Sequence, residues 1–519
     1  MEAIRSYVPE GLTERLAGLP MSVQVIGVTI LLSLIYGYIT ADRPHSAFPV
    51  ISVNGKSPLW SWMLHGPEVV KEGLKRTTGP FQVITGTGPR IVLPNKYADE
   101  IRNSPELNFP KAFQKEFMVN YPGFEPHKHS LQTDYLIQDT VRIKLTQSLG
   151  LVTDDIVDET TFSLKTVLGQ PKEWETRQIR EDALEIVARV SSRVFLGADL
   201  CRNRRWLDIT KTYTTDSFLL SRLMRFAPKI LRPFVYLVLP QSFRLRASVR
   251  DAHKLIDPEV ARRKAKVDAA RAAGQKPPKT ADTIGWMYDV AREGDKVNYV
   301  SGQLSLSMAA IHTTTESLGR ALVDICAHPE VGQMLREEII EVLGKDGWAK
   351  TTLYKLKIMD SFLKESQRYT PLSSNSMNRY VERELTLSDG TKIPAGSRIV
   401  VAGNYRDPEI FEEPDKYDAT RFLKMRQRPG QENSWQFVTT SAAHQGFGHG
   451  QHACPGRFFA SNEIKILLCH MLLKYDWRFV PGEDKPKPVR FEATAALDPK
   501  TRLQCRARTP ELDLDNLVV

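Results

Sequence analysis

The stretch Phe447-Gly448-His449-Gly450-Gln451-His452-Ala453-Cys454-Pro455-Gly456-Arg457 sets one cysteine among glycines. It directly precedes an apolar helical pattern running from Phe458 through Ile464, Leu467, Leu468 and Met471. A thiolate at a helix N-terminus is stabilised by unpaired backbone N–H groups and the positive end of the helix dipole, so a lowered thiol pKa and a metal-ligating role are expected for Cys454. Glycines at 448, 450 and 456 permit positive φ and let a flat ligand approach the main chain. A cysteine met alone after a glycine-rich turn is more often simply buried; the residues around this one decide against that reading.

The pattern Phe-x-x-Gly-x-x-x-Cys-x-Gly, here Phe447, Gly450, Cys454 and Gly456, resembles the haem-binding loop of the cytochrome P-450 family, the haem-thiolate monooxygenases. The resemblance implies a mainly α fold with small β-sheets. It also implies haem b (iron protoporphyrin IX) between a long helix and the cysteine loop, with Cys454 as the axial ligand of its iron. Electrons would come from NADPH through a separate reductase, with a cytochrome b-type donor as a second source. No Gly-x-Gly-x-x-Gly unit follows a strand in this chain, so the donor must be another protein. Arg457 and Lys465 are expected to meet its acidic face.

From Val300 to Thr315 no residue is formally charged, and small residues recur at Ser305, Ser307, Ala309, Ala310, Thr313 and Thr314. Small side chains let a buried helix approach a planar cofactor, and a threonine hydroxyl there can hydrogen-bond dioxygen or relay protons to it. In isolation the same pattern would more commonly mean close helix packing. The family's oxygen-side motif is Ala/Gly-Gly-x-Asp/Glu-Thr-Thr, and this chain has Ala309-Ala310-Ile311-His312-Thr313-Thr314. Ala310 replaces the glycine and His312 replaces the acid, so proton relay is expected through His312 and Thr313, with Thr314 beside them, given a histidine pKa near neutrality.

Glu365 and Arg368 stand three apart and share one helix face. Alone they read as a surface ion pair. The run from Tyr405 to Phe422 resembles the family loop that brings a second arginine, here Arg421, to the same glutamate. The resemblance implies a buried Glu365–Arg368–Arg421 cluster that fixes the cysteine loop, in which the planar arginine fork is not replaceable by lysine. His452 and Arg379 match family positions that bind the haem propionates. Arg142 is a third candidate, although Gln138 stands where the family usually has a tryptophan.

The 519 residues are 41% hydrophobic and 25% charged, a globular composition, with a net charge of +10. Basic residues are spread without the aromatic interleaving of a nucleic-acid groove, so no nucleic-acid partner is expected. Five widely spaced cysteines without a C-x-x-C pair speak against a disulfide framework or zinc site and for a reducing compartment. Met21–Ile39 is uncharged and mostly apolar, and as a helix would be about 28 Å long, close to the hydrocarbon thickness of a bilayer.

The expected organisation is a short segment over 1–20, a transmembrane anchor over 21–39, a proline-containing hinge over 40–60 and one catalytic domain over 61–519. With the resemblance, this implies a single-pass endoplasmic reticulum membrane protein with its catalytic domain facing the cytosol. Residues 81–84 and 90–94 read as a β-hairpin. The basic, apolar stretch from Phe218 to Leu239 fits a membrane interface or a buried helix with snorkelling basic residues. The family layout tips the reading toward the interface.

In the family layout the pocket draws on 109–125, the Phe218 region, 308–312, 372–377 and 493–497. These are mostly apolar here and suit a hydrophobic small molecule. Similarity to fungal secondary-metabolite members makes oxidation of a terpenoid the first expectation, with a polyketide or alkaloid as the alternative. A reductase-independent haem-thiolate isomerase or dehydratase, or a haem sensor, is the competing class.

Overall fold

The structure, a computed structural model, describes residues 19–39, 42–130, 136–277, 279–292, 294–349 and 351–517, with the backbone alone at 33, 34, 36–39 and 130. Most of the segment expected over 1–20, and residues 40 and 41 of the expected hinge, lie outside the described residues.

Helix α1, Met21–Ile39, forms where the apolar run predicts it and has no acidic residue in its first turn and no basic residue in its last. Among the described residues no helix is long and apolar enough to cross a membrane. The unbroken run of described side chains in α1 covers only 21–32, about 18 Å of helix.

Within the described part of the segment after α1, His45, Phe48 and Ile51 are bonded to Gln82. Gln82 receives the His45 N–H on Oε1 at 2.9 Å and donates from Nε2 to the carbonyls of His45 and Phe48, both at 2.7 Å. The main chain continues the strap, with Ile51 N–H donating to the Gln82 carbonyl at 2.9 Å.

The expected hairpin forms as β1 (Phe81–Thr85) and β2 (Gly88–Leu93), paired antiparallel with Phe81 opposite Val92. With β3 (Leu107–Asn108), β4 (Asn375–Val381) and β5 (Arg398–Ala402) they make one sheet in the order β1-β2-β5-β4-β3. The β4–β5 ladder shifts register between Ser376 and Arg379, where Met377 adopts φ +55°. Such a bulge re-aims the side chains that follow it. A separate hairpin pairs β6 (Val489–Phe491) with β7 (Thr494–Ala496).

Between these sheets the chain is helical. Helix α2 (Phe109–Phe117) is capped by Asn108, whose side chain accepts from Lys111 N–H at 2.8 Å. Helices α3 (Ile179–Leu196), α4 (Arg204–Phe226), α5 (Arg232–Val238) and α6 (Tyr299–Ala327) follow. The last two that matter for the site are α7 (Lys357–Tyr369) and α8 (Arg457–Lys474). Helix α6 begins at an Asn298 cap, with Ser301 N–H donating to its side chain at 2.9 Å. It runs through the main hydrophobic core against α3, α4 and α8, which is why its sequence carries small and apolar residues almost all round. All five cysteines are free thiols, as their spacing predicts.

The Phe218–Leu239 stretch divides between its two readings. Leu220, Met224 and Tyr236 are buried, whereas Phe226, Phe234, Leu237 and Val238 are exposed.

Candidate active site

Cys454 sits between a short turn at Gly450–His452 and the start of α8. Its N–H donates to the Phe447 carbonyl at 2.8 Å, and Arg457 Nη1 donates to the Cys454 carbonyl at 2.9 Å. Gly450 has φ +75°, and a Cβ there would stand 2.4 Å from the Arg102 carbonyl oxygen, so conformation and space both demand glycine. Burial pushes the Cys454 thiol above its ordinary pKa, against the opposing pull of the Gly456 backbone N–H and Arg457. The lowered thiol pKa expected from the helix N-terminus is therefore not found. Desolvation outweighs the dipole, and ionisation is left to a cation placed on the sulfur.

Helix α6 is buried along most of its length, but Ala309 and Thr313, one turn apart, are exposed. This is a thin open face on an otherwise enclosed helix. The Thr313 hydroxyl donates to the Ala309 carbonyl at 2.7 Å. Thr314 is buried on a different face. His312 turns away toward α4, its Nε2 3.2 Å from the Lys211 carbonyl oxygen. Burial, with Arg180 nearby, lowers its pKa to about 4. The near-neutral histidine expected from sequence is thus a neutral imidazole whose Nε2–H donates to Lys211.

The three expected support residues do meet. Arg368 donates from Nε to Glu365 Oε2 at 2.7 Å and from Nη2 to Oε1 at 2.8 Å, and Arg421 Nε reaches both oxygens at 3.2 Å. Asp418 N–H adds a fifth bond to Glu365 Oε1 at 3.0 Å. Glu365 and Arg368 are both fully buried. The link from this cluster to the cysteine loop runs through its neighbours on α7. The Lys364 carbonyl faces His444 Nε2 at 3.2 Å, and Gln367 fills the space at Gly446, where a Cβ would stand 2.0 Å from its Oε1.

Arg379 and His452 also converge, with Phe109 between them: the Arg379 guanidinium is 5.7 Å and the His452 ring 5.8 Å from the Phe109 ring centre. Arg379 is buried and donates to the Asn378 carbonyl at 2.9 Å, with no carboxylate partner among the described residues. Burial draws its pKa down to about 10. Arg142 is not brought into this group. Its neighbour Val141 lies 3.6 Å from where a Gly456 Cβ would stand, yet Arg142 pairs with Asp139 at 2.9 Å and remains exposed. Phe113 stacks on Phe117 at 4.2 Å, and Phe117 meets Phe218 edge-on at 4.9 Å.

Residues 96–505 match the sequence profile of the cytochrome P450 family. The chain belongs to that family. It is 44% identical over 480 residues to the cytochrome P450 monooxygenase bsc2 of Alternaria brassicicola, with 91% of each chain covered. It is 39% identical to the monooxygenase adrA of Penicillium rubens, covering 94% of this chain and 97% of the relative. A retinoic-acid-bound cyanobacterial relative, CYP120A1, shares the fold with a TM-score of 0.61 at 17% identity, over 86% of this chain and 95% of that one.

As a cytochrome P450 monooxygenase, the chain is an oxidoreductase that incorporates oxygen, using haem with a cysteine thiolate and electrons delivered through a reductase. The mainly helical fold with small sheets is that of the family. Its residues fit that group: a partly open thiol at Cys454, a glycine-lined loop, an open strip on α6, and in Arg379 a buried cation awaiting an acidic counter-charge such as a propionate.

Lys465 does not reach the surface where a reductase would dock. It is buried, donating to the Leu353 carbonyl at 3.0 Å and Asp360 Oδ1 at 2.7 Å. Arg457 is partly exposed next to the cysteine loop.

Sequence reasoning passed over Glu463, a single acid in the apolar run of α8. It is fully buried and accepts from Ser191 Oγ at 2.6 Å. Its second oxygen has no well-formed bond but faces the Thr314 hydroxyl of α6. Burial pushes its pKa up to about 8, so at neutral pH it is mostly a neutral acid. A lone Glu among Ile464, Ile466 and Leu467 was the available signal.

The unfolded chain ionises this carboxyl near pH 4, the folded chain only near pH 8. Its contribution to stability is therefore whole at low pH and drains away as pH rises between those values. Glu463→Gln is expected to flatten that part of the slope, raising Tm relative to the parent more at about pH 8 than at about pH 5. An equal Tm difference at both pH values, measured by thermal unfolding, would count against the protonated acid.

Also unforeseen, Glu316 Oε1 accepts from Leu497 N–H at 2.6 Å, and Arg320 donates to the carbonyls of Thr370 and Ala495. These bonds pin α6 to the β6–β7 hairpin region.

Proposed function

We propose that this P450 oxidises a hydrophobic, terpenoid-type secondary metabolite by hydroxylation or successive oxidations, with Cys454 as the haem ligand, Arg379 and His452 holding the propionates, and Thr313 facing the oxygen side. The observations that support the reading are the open strip of Ala309 and Thr313 on the otherwise buried α6 and, separately, the aromatic cluster of Phe113, Phe117 and Phe218. An apolar pocket with one hydroxyl donor takes a large carbon skeleton and offers it little polar recognition. The resemblance to fungal monooxygenases supports the same metabolic setting.

Haem held by a cysteine thiolate supplies the redox centre at which dioxygen is cleaved for C–H oxidation. The protein's part is to hold the substrate against the α6 strip, to exclude water with apolar side chains, and to hold protons at the Thr313 hydroxyl. His312, neutral and bonded to Lys211, is proposed to steady that turn of α6 and so the Thr313 hydroxyl that serves proton delivery. His312→Ala is expected to raise the share of reducing equivalents lost as peroxide. An unchanged peroxide fraction in NADPH-driven turnover would remove His312 from proton delivery.

We further propose a membrane-bound protein of the endoplasmic reticulum facing the cytosol. Supporting this, α1 exposes Val25, Ile26, Val28, Ile30, Leu31 and Leu32, and Phe226, Phe234, Leu237 and Val238 are exposed on the stretch that adjoins it. Burying such a patch in a bilayer interface is favourable in proportion to its apolar area.

The test of the reaction is product analysis after co-expression with a reductase and candidate terpenoid, polyketide and alkaloid substrates. Oxygenated product appearing only with reductase and NADPH supports the proposal. Product formed from a peroxide substrate without either would favour an isomerase or dehydratase.

A further inference from the structure

A cleft of about 220 Å³ opens where the segment after α1, the β1–β2 hairpin, α2 and the turn before β5 meet. Arg43, His45, Lys115, Ser397 and Arg398 line it, and Asp42 is the only acid among the described lining residues. Arg398 is 2% exposed. It donates to the hydroxyls of Thr87 and Thr85 and to the Gly88 carbonyl, and pairs with no carboxylate among the described residues. Burial and the nearby Arg90 pull its pKa down to about 9, and the counter-charges of Glu116 and Asp42 offset this only in part.

Asp42 contributes only part of that counter-charge. Its Oδ2 is already shared between Lys115 at 3.4 Å and Lys229 at 3.7 Å. On the other wall His45 Nε2 lies 3.1 Å from Ser397 Oγ, a polar pair held in place by the Gln82 strap. Among the lining residues Arg43, Lys115 and Arg398 outnumber Asp42, with Glu116 a further acid near Arg398, so the walls of this polar, preorganised cleft are predominantly cationic. A carboxylate would answer only one of those charges. A phosphate group carries up to about two negative charges at neutral pH and three acceptor oxygens for the surrounding donors.

We propose that this cleft binds a phosphate group, with Arg398 at its floor, Arg43 and Lys115 as the outer counter-charges, and the His45–Ser397 pair as hydrogen-bonding groups. Two sources present that chemistry: a free phosphate ion, and a phospholipid head group reaching the cleft from a bilayer beside α1, which ends three residues before Asp42. Lys115 belongs to α2, which also carries the stacked Phe113 and Phe117, so an occupant would also brace that helix.

The test uses the full-length, haem-loaded protein and thermal unfolding. Inorganic phosphate is titrated against chloride at equal ionic strength. Dihexanoyl phosphatidate is titrated against dihexanoylglycerol, both below their micelle concentrations. Saturable rises in Tm with phosphate or phosphatidate, and none with chloride or dihexanoylglycerol, are expected. Phosphatidate bound about tenfold or more tightly than phosphate assigns the lipid source, and similar affinities assign the free ion. The Arg43→Glu/Lys115→Glu double variant leaves buried Arg398 in place, and its reduced carbon monoxide spectrum checks that it is folded. It is expected to bind about tenfold more weakly. The absence of a saturable shift beyond the controls, or equal affinity in parent and double variant, overturns the proposal.

Discussion

Glu365→Ala is expected to give haem-free or aggregated protein and no turnover. The carboxylate is fully buried and takes five hydrogen bonds, four from Arg368 and Arg421 and one from the Asp418 main chain. Removing it strands two guanidinium charges in the interior, at a cost of about 3–5 kcal/mol for breaking a buried pair. That is a large fraction of an ordinary domain's stability of about 5–15 kcal/mol. The damage would also travel: Arg368 donates to the Tyr405 and Pro414 carbonyls at 2.7 and 2.8 Å and Arg421 to the Lys416 carbonyl at 2.8 Å, so a loop spanning 405–421 loses its fastening. Haem content per folded protein, read from the visible absorbance of the purified variant, checks this. Soluble Glu365→Ala protein with full haem content would refute it.

Cys454→Ser should behave differently. Turnover is expected to fall to the level of haem-free protein, and the thiolate signature of the reduced carbon monoxide complex should vanish, while the fold survives. The main-chain bond from residue 454 to Phe447 does not depend on the side chain, and Arg457 bonds the carbonyl rather than the sulfur. A polar substitution at a partly open position of this kind costs within about 1 kcal/mol. Circular dichroism and thermal unfolding separate the two outcomes. A variant that keeps the thiolate spectrum would exclude Cys454 as the ligand, and one that unfolds would give the cysteine a structural part as well.

The cysteine loop, the oxygen-side helix and the Glu365 cluster were legible because their chemistry needs particular residue types at short spacings. The β1–β2 hairpin was legible from its alternation and turn glycines. What sequence did not disclose depends on desolvation or on distant neighbours. The Cys454 thiol pKa is raised because burial, which no local pattern reports, exceeds the helix-end effect. His312 loses its near-neutral pKa for the same reason. Lys465 looks like a surface cation until Asp360, 105 residues earlier, is found beside it. The strap on His45 and Phe48 was not legible because Gln82, an unremarkable polar residue in a strand, supplies it.

The bonds joining α6 to the segment around Ala495 and Leu497 bear on how the enzyme could sense its cargo. Glu316 stands three residues after Thr313, Arg320 one turn further on, and each grips main-chain atoms near the β6–β7 hairpin. The two elements are geared together. A displacement of that hairpin would therefore load the turns of α6 that follow Thr313.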